Sequence, residues 1–269
     1  MTAADLPIAP RRTETWRRML PQTVIQTRRL LTRWRRDPVT TAQSLGFPAL
    51  LLIVLNTVLG RQISMFSGAD ALYGSVPMVT LVSVMSGSVA GAVTLGRERD
   101  AGLLARFWVL PVHRVSGPLA RLAAEAARIL TCTVVLFAVG IALGFRFRQG
   151  PAAAAATLTV PLLYGFAFAV LVTAVAVWTP GAALVEVISL GSSLLMFFST
   201  GFVPLPAYPA WAKPLVAHQP MSYAIDAMRG LSLGGPVRGP LLATVCWSVA
   251  VTVVCAVPAL VGYRRASRR

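Results

Sequence analysis

Six apolar stretches, each about as long as a bilayer is thick, run through the chain between short polar segments, near 41–60, 73–95, 119–145, 153–178, 182–203 and 241–262. The hydrocarbon core is roughly 30 Å thick and takes about 20 helical residues to cross. In lipid, each backbone N–H and C=O must find its partner within the protein, so each stretch is expected as a helix. The pattern predicts an all-α integral membrane protein with six transmembrane helices. Composition agrees: 56% of residues are hydrophobic and 13% charged, where a soluble domain carries about a quarter charged.

The net charge of +16 raises nucleic acid as a partner, and the distribution of the charge argues against it. Nine arginines lie between Arg11 and Arg36, and Arg264, Arg265, Arg268 and Arg269 end the chain. Arg97, Arg99, Arg106, Arg114 and Arg121 lie in or beside the segment after the second stretch. Cationic loops stay in the cytoplasm. Both termini and the 96–118 loop are therefore expected on the inner face of the cell inner (plasma) membrane, which requires an even number of spans. Anionic lipid headgroups are a sufficient partner for the basic ends. Cys132, Cys246 and Cys255 all fall inside spans without metal-ligand spacing and are read as packing residues. Met1–Arg36 has no apolar leader core, so no cleaved signal is expected.

Three regions follow. Residues 1–12 are expected as a flexible arm, 13–37 as an amphipathic interface helix, and 38–269 as the six-helix transmembrane domain. In 13–37, Trp16, Leu20, Val24, Leu31 and Trp34 alternate with arginines, and such a helix lies in the plane of the membrane surface. Pro38 ends it, because the residue before a proline avoids the helical region. Arg121, Glu125 and Arg128 follow at spacings of four and three and share one helix face, which suggests an ion-paired, cytoplasmic extension of the third span; between a functional charge relay and a structural pair near the headgroups, the second reading is preferred. Glu186 is the carboxylate inside a span without an obvious local partner. It is placed to bind substrate or a proton, or else to reach the interface or an arginine of the 96–118 loop; the second reading is preferred.

Enzyme signatures are missing. His113 and His218 stand far apart, and no HExxH, CxxC or GxSxG occurs. The single lysine, Lys213, precedes Pro214, so the chain offers no P-loop. No metal or cofactor is expected on this chain, and any ATP and Mg belong to a partner.

Two polar segments remain. Arg97, Glu98, Arg99 and Asp100 lead into a short amphipathic run with Gly102, Leu103, Leu104, Phe107, Trp108 and Leu110, stopped by Pro111. An apolar-faced helix outside the bilayer core needs a cover, which the membrane surface or a groove of a partner protein can supply. On the other face, Phe202, Pro204, Pro206, Pro209, Trp211, Pro214 and Pro220 form an apolar segment whose five prolines preclude a straight helix. Short broken helices that re-enter the outer leaflet are expected there, with a helix over Met221–Met228 carrying an Asp226–Arg229 pair.

These two segments resemble the two marks of the membrane subunits of type-2 ABC exporters. Glu98, Gly102, Leu103, Phe107 and Pro111 occupy the places of the family's charged cytoplasmic stretch, although Asp100 and Ala101 depart from its spacing. Pro204, Pro209, Trp211, Pro220, Tyr223 and Arg229 match its external signature. Span count and basic start agree over essentially the whole chain, which is most similar to the daunorubicin-resistance type of drug and lipid permeases of actinobacteria. The resemblance implies an assembly of two permease subunits, identical or related, with two ATP-binding subunits. It implies a coupling helix at Arg97, Glu98, Arg99, Asp100, Gly102, Leu103, Leu104 and Phe107. It implies a substrate path along the second and fifth spans, here Met78, Met85, Ser189, Ser193, Met196 and Phe197, and an external gate at Phe202, Pro204, Pro206, Trp211 and Tyr223. Small, thioether and aromatic groups suit an amphiphile, so the expected cargo is a lipid, glycolipid or hydrophobic drug moved outward. The rival readings are a proton-coupled secondary transporter using Glu186 and a membrane-embedded lipid-processing subunit.

Overall fold

A computed structural model of the chain describes residues 12–60, 64–65, 71–100, 116–178 and 181–266. Among the described residues every regular element is a helix. Helix α1 (Arg12–Arg36) is followed by a composite α2, which is α-helical over Pro38–Thr41, π-helical over Ala42–Gly46, α-helical over Phe47–Val54 and π-helical over Leu55–Leu59. Then come α3 (Leu72–Asp100), α4 (Ser116–Ala142), α5 (Pro151–Trp178) and α6 (Gly181–Phe197). A 3-10 turn at Leu205–Ala207 leads to α7 (Lys213–His218), α8 (Pro220–Leu233) and α9 (Arg238–Ala266).

Local chemistry sets several of these boundaries. Asp37 caps α2: its Oδ1 accepts from the N–H groups of Val39 and Thr40 at 3.2 Å each, and its Oδ2 from the Thr40 hydroxyl at 2.7 Å. The hydroxyl bond above all holds the Asp37 carboxyl below its ordinary range. Pro48 has no N–H, so the carbonyl four residues earlier, Ser44 O, loses its helical partner. The Ser83 hydroxyl of α3 donates to that carbonyl instead, and the first π-helical turn of α2 lies at the same level. The missing hydrogen bond thus becomes a tie between α2 and α3.

Five stretches are long and apolar enough to cross a membrane: Pro38–Val58, Leu72–Thr94, Leu119–Ala142, Pro151–Ala176 and Arg238–Ala259. They match five of the six expected spans. The remaining one, 182–203, is shorter than its apolar run. Helix α6 stops at Phe197 after 17 residues, about 25 Å at 1.5 Å per residue, because the carbonyls around its end are claimed by side chains of the following segment. Helix α4 likewise stops at Ala142, where the Phe145 N–H folds back on Gly140 O at 2.9 Å.

Helix α3 is the axis of the bundle. Of its apolar window 67% is buried, against 11% for α9, whose Val253, Val254 and Val257 face outward. Val76, Met78, Val79, Leu81 and Met85 of α3 form the core with Leu52, Leu136, Phe168 and Ile225. Helix α9 packs along α5, and α8 lies across α3, α5 and α9 at the end of the bundle opposite α1. Helix α1 packs on α4, where the Thr27 hydroxyl reaches Ala120 O at 3.3 Å.

Candidate functional site

Helix α6 is packed on one side, mainly by α3. Val187, Leu190 and Phe197 are each more than 60% exposed, and Ser189 and Ser193 share that open side. The Ser193 hydroxyl is returned to Ser189 O at 2.8 Å, within the helix. Met196 is half-buried against the core. The expected path residues therefore divide into two groups. Ser189, Ser193 and Phe197 lie open, while Met78 and Met85 of α3 are 0% and 1% exposed inside the subunit, where the Tyr164 hydroxyl meets Met85 Sδ at 3.6 Å.

At its C-terminal end α6 leaves carbonyls without helical partners. The proline-rich segment cannot supply a backbone ladder, since its prolines lack N–H groups. Three long polar side chains serve instead. The Tyr208 hydroxyl donates to Phe197 O at 3.0 Å and Ser199 O at 2.9 Å. The Gln219 amide, buried, donates to Phe198 O, to Leu195 O at 3.3 Å and to the Ser222 hydroxyl at 3.0 Å. Arg229 Nη2 donates to Thr200 O at 2.7 Å. Asp226 Oδ1 accepts the Thr200 hydroxyl at 2.8 Å and stands 3.4 Å from Arg229 Nη1. Burial pushes the Asp226 carboxyl up, against the opposing pull of Thr200 and Arg229, and also raises the Tyr208 hydroxyl. Gly74 of α3 lies beneath this cluster: a Cβ there would overlap Gly201 O and come within 2.9 Å of Arg229 Nη2. The turn after α6 is thereby pressed onto α3.

Of the expected gate residues, Phe202 packs partly against the core, and Pro204 and Pro206 shape the 3-10 turn. Trp211 is 70% exposed and meets Phe198 edge-on at 6.3 Å. Tyr223 is half-buried on α8, which runs from Pro220 to Leu233, past the expected Met228. The sequence reading missed Thr200, Tyr208 and Gln219. Their signal is long or hydroxylated polar side chains in an apolar segment that follows a helix end.

At the opposite end α3 continues as helix to Asp100, with Arg97 exposed. The side chains of Glu98, Arg99 and Asp100, and all of Gly102, Leu103, Leu104, Phe107 and Pro111, lie outside the described residues. Glu186 is exposed on α6. Among the described residues no group of three His, Cys, Asp or Glu could hold a metal. Glu125 and Arg128 do pair between α3 and α4, with Arg128 buried and Glu125 half-buried.

Residues 21–233, from α1 to the end of α8, match the ABC-2 type transporter family. The chain belongs to that family. It is also 46% identical, over 270 aligned residues covering 99% of this chain and 98% of the relative, to the probable doxorubicin resistance ABC transporter permease protein DrrC of Mycobacterium tuberculosis, in strain CDC 1551 and equally in strain H37Rv. The family match places α1, the α3–α4 hairpin and the capped end of α6 in one ABC-2 type unit, and α9 beyond it.

Proposed function

We propose that this chain is the membrane subunit of an ATP-driven exporter that moves a hydrophobic or amphiphilic cargo, a drug, lipid or glycolipid, from the cytoplasmic side outward. The observation that carries this reading is α6: an apolar helix, open along Val187, Leu190 and Phe197, latched at one end by Tyr208, Gln219 and Arg229. An open apolar helix face in a membrane subunit either meets lipid or lines a shared path, and the latch makes that path closable. The relatives' name, a doxorubicin resistance permease, supports a drug among these cargoes.

In this reading α6 is the sixth crossing, short because its last turn is traded for the cap, and both termini are cytoplasmic. Two permease subunits, identical or related, face each other across their α6 helices. Two ATP-binding subunits supply ATP and Mg and engage the 96–118 loop as coupling helix. A push there requires that the loop contacts the two nucleotide states of the ATPase differently. Ser189, Ser193, Met196 and Phe197 line the path, while Met78 and Met85 pack in the core of the subunit. Phe202, Pro204, Pro206, Trp211 and Tyr223 form the outer gate.

Reconstitution with an ATP-binding partner in liposomes tests this. Efflux of fluorescent doxorubicin should need ATP, persist in Glu186→Gln, and survive collapse of the proton gradient. Transport by the chain without any ATPase, or loss of it in Glu186→Gln alone, refutes the reading in favour of proton coupling.

A further inference from the structure

Arg128 lies nine positions beyond Leu119, where the third apolar stretch begins, so its Cα is about 13 Å along that stretch at 1.5 Å per residue. An ion pair at that depth is expensive unless it is fully used. Glu125 and Arg128, at i and i+3 on α4, could satisfy each other without leaving their helix. They do not stop there. Arg128 Nε donates to Glu125 Oε2 at 3.1 Å, and Nη2 is shared among Glu125 Oε1, Val84 O at 3.2 Å and the Ser88 hydroxyl oxygen at 3.2 Å. Ser88 in turn donates to Glu125 Oε1 at 2.6 Å. Val84 and Ser88 belong to α3. The seat for the guanidinium is Gly87, also on α3: a Cβ there would overlap Arg128 Nη1 and Cζ and approach Nη2 to 3.0 Å. The side chain of Arg128 is 6% exposed. Its Nη1 is buried without an oxygen acceptor among the described residues, and the Cys132 thiol one turn on lies against the guanidinium.

Helices α3 and α4 are the two legs of one hairpin, connected in sequence through 101–115, which lie outside the described residues, and the clasp joins the legs about 9 Å along each apolar stretch, six positions in from Thr94 on one side and from Leu119 on the other. Above it, α3 packs on α6. Below it, α4 carries α1. We infer that the Ser88–Glu125–Arg128 clasp, seated on Gly87, makes the α3–α4 hairpin one rigid lever that carries displacement of its cytoplasmic tip to α6. Arg128 and Glu125 are positioning residues in this scheme: they touch neither cargo nor nucleotide. Without the clasp the legs slide past each other and the tip moves without moving α6. This rests on the proposed ATP-driven reading.

The test uses the full chain with its ATP-binding partner in nanodiscs and liposomes, with doxorubicin as the probe. Four variants are compared: Gly87→Ala, which displaces the guanidinium and deletes no charge; Arg128→Met; Arg128→Lys; and the neutral pair Glu125→Gln with Arg128→Met, which leaves no buried charge unpaired. Co-purification with the ATPase, basal ATP hydrolysis and doxorubicin transport are measured for each. The clasp predicts that the neutral pair assembles, hydrolyses ATP at the basal rate and melts like the parent, yet transports about tenfold less per ATP, the scale on which coupling networks act. Gly87→Ala should match it, and Arg128→Lys, which keeps charge without the fork, should fall between. Full transport per ATP in the neutral pair overturns the inference and leaves the site a structural pair. If the parent chain itself neither binds the ATPase nor transports with ATP, the functional reading fails, separately from the clasp.

Discussion

Replacing Gln219 by leucine isolates the latch on α6. The two side chains have nearly the same volume, so packing is kept while three donor contacts vanish: to Phe198 O, to Leu195 O at 3.3 Å and to the Ser222 hydroxyl at 3.0 Å. Gln219 is buried, so water cannot replace it. A buried acceptor stripped of its partner costs about 1–3 kcal/mol, and two carbonyls are stripped, which gives about 3 kcal/mol. At roughly 2 °C per kcal/mol for a chain of this size, the midpoint of thermal unfolding should fall by about 6 °C. The loss is local, so amide exchange should quicken over 195–201 and stay unchanged over Leu72–Thr94, the buried axis. Tryptophan fluorescence of the purified chain in nanodiscs reads the first, and exchange with mass detection the second. A midpoint within about 1 °C of the parent, less than the slope allows for one lost bond, together with unchanged exchange at 195–201, refutes the claim that this amide holds the end of α6.

Met85 and Phe197 make a paired prediction. Met85→Ala empties a site that is 1% exposed and should cost about 2–5 kcal/mol of stability, while Phe197→Ala, 64% exposed, should leave the melting midpoint unchanged and lower doxorubicin transport. Reversal of the two effects would reassign the path to α3. Asp37 gives a dependence on pH: its folded carboxyl is depressed below the usual 3.8, so its contribution to the first turn of α2 is present above that value and is lost as pH falls through the lowered one. The protection factors of the Val39 and Thr40 amides, exchange rates corrected for their intrinsic dependence on pH, should therefore fall on acidification in the parent and stay constant in Asp37→Asn, whose carbonyl caps without titrating.

Spans were legible because the bilayer imposes a length and a polarity that few other folds need. Helices α3, α4, α5 and α9 fall close to the apolar runs for that reason, and Asp37-Pro38 is a start signal readable by eye. The end of α6 was not legible. Apolarity continues to Val203, and only the arrival of Tyr208, Gln219 and Arg229 at its last carbonyls stops the helix at Phe197. The pairing of Glu125 with Arg128 followed from their spacing, but its direction did not: the sequence suggests a cytoplasmic extension, and the fold turns it inward onto Gly87. Met78 and Met85 were assigned to a path by family likeness, and the rotation of α3 puts them in the core.

Local rules thus determined what each segment becomes: which stretches are helices in lipid, where proline and aspartate start or bend them, and which loops carry the positive charge. Tertiary structure alone decided which side of each helix is open and which polar groups meet. The physical reason is that lipid and protein interior are equally apolar, so hydrophobic periodicity does not mark the buried face of a membrane helix. That face is chosen by close approach at Gly74 and Gly87 and by hydrogen bonds between residues distant in the chain, such as Ser83 and Ser44, or Arg229 and Thr200.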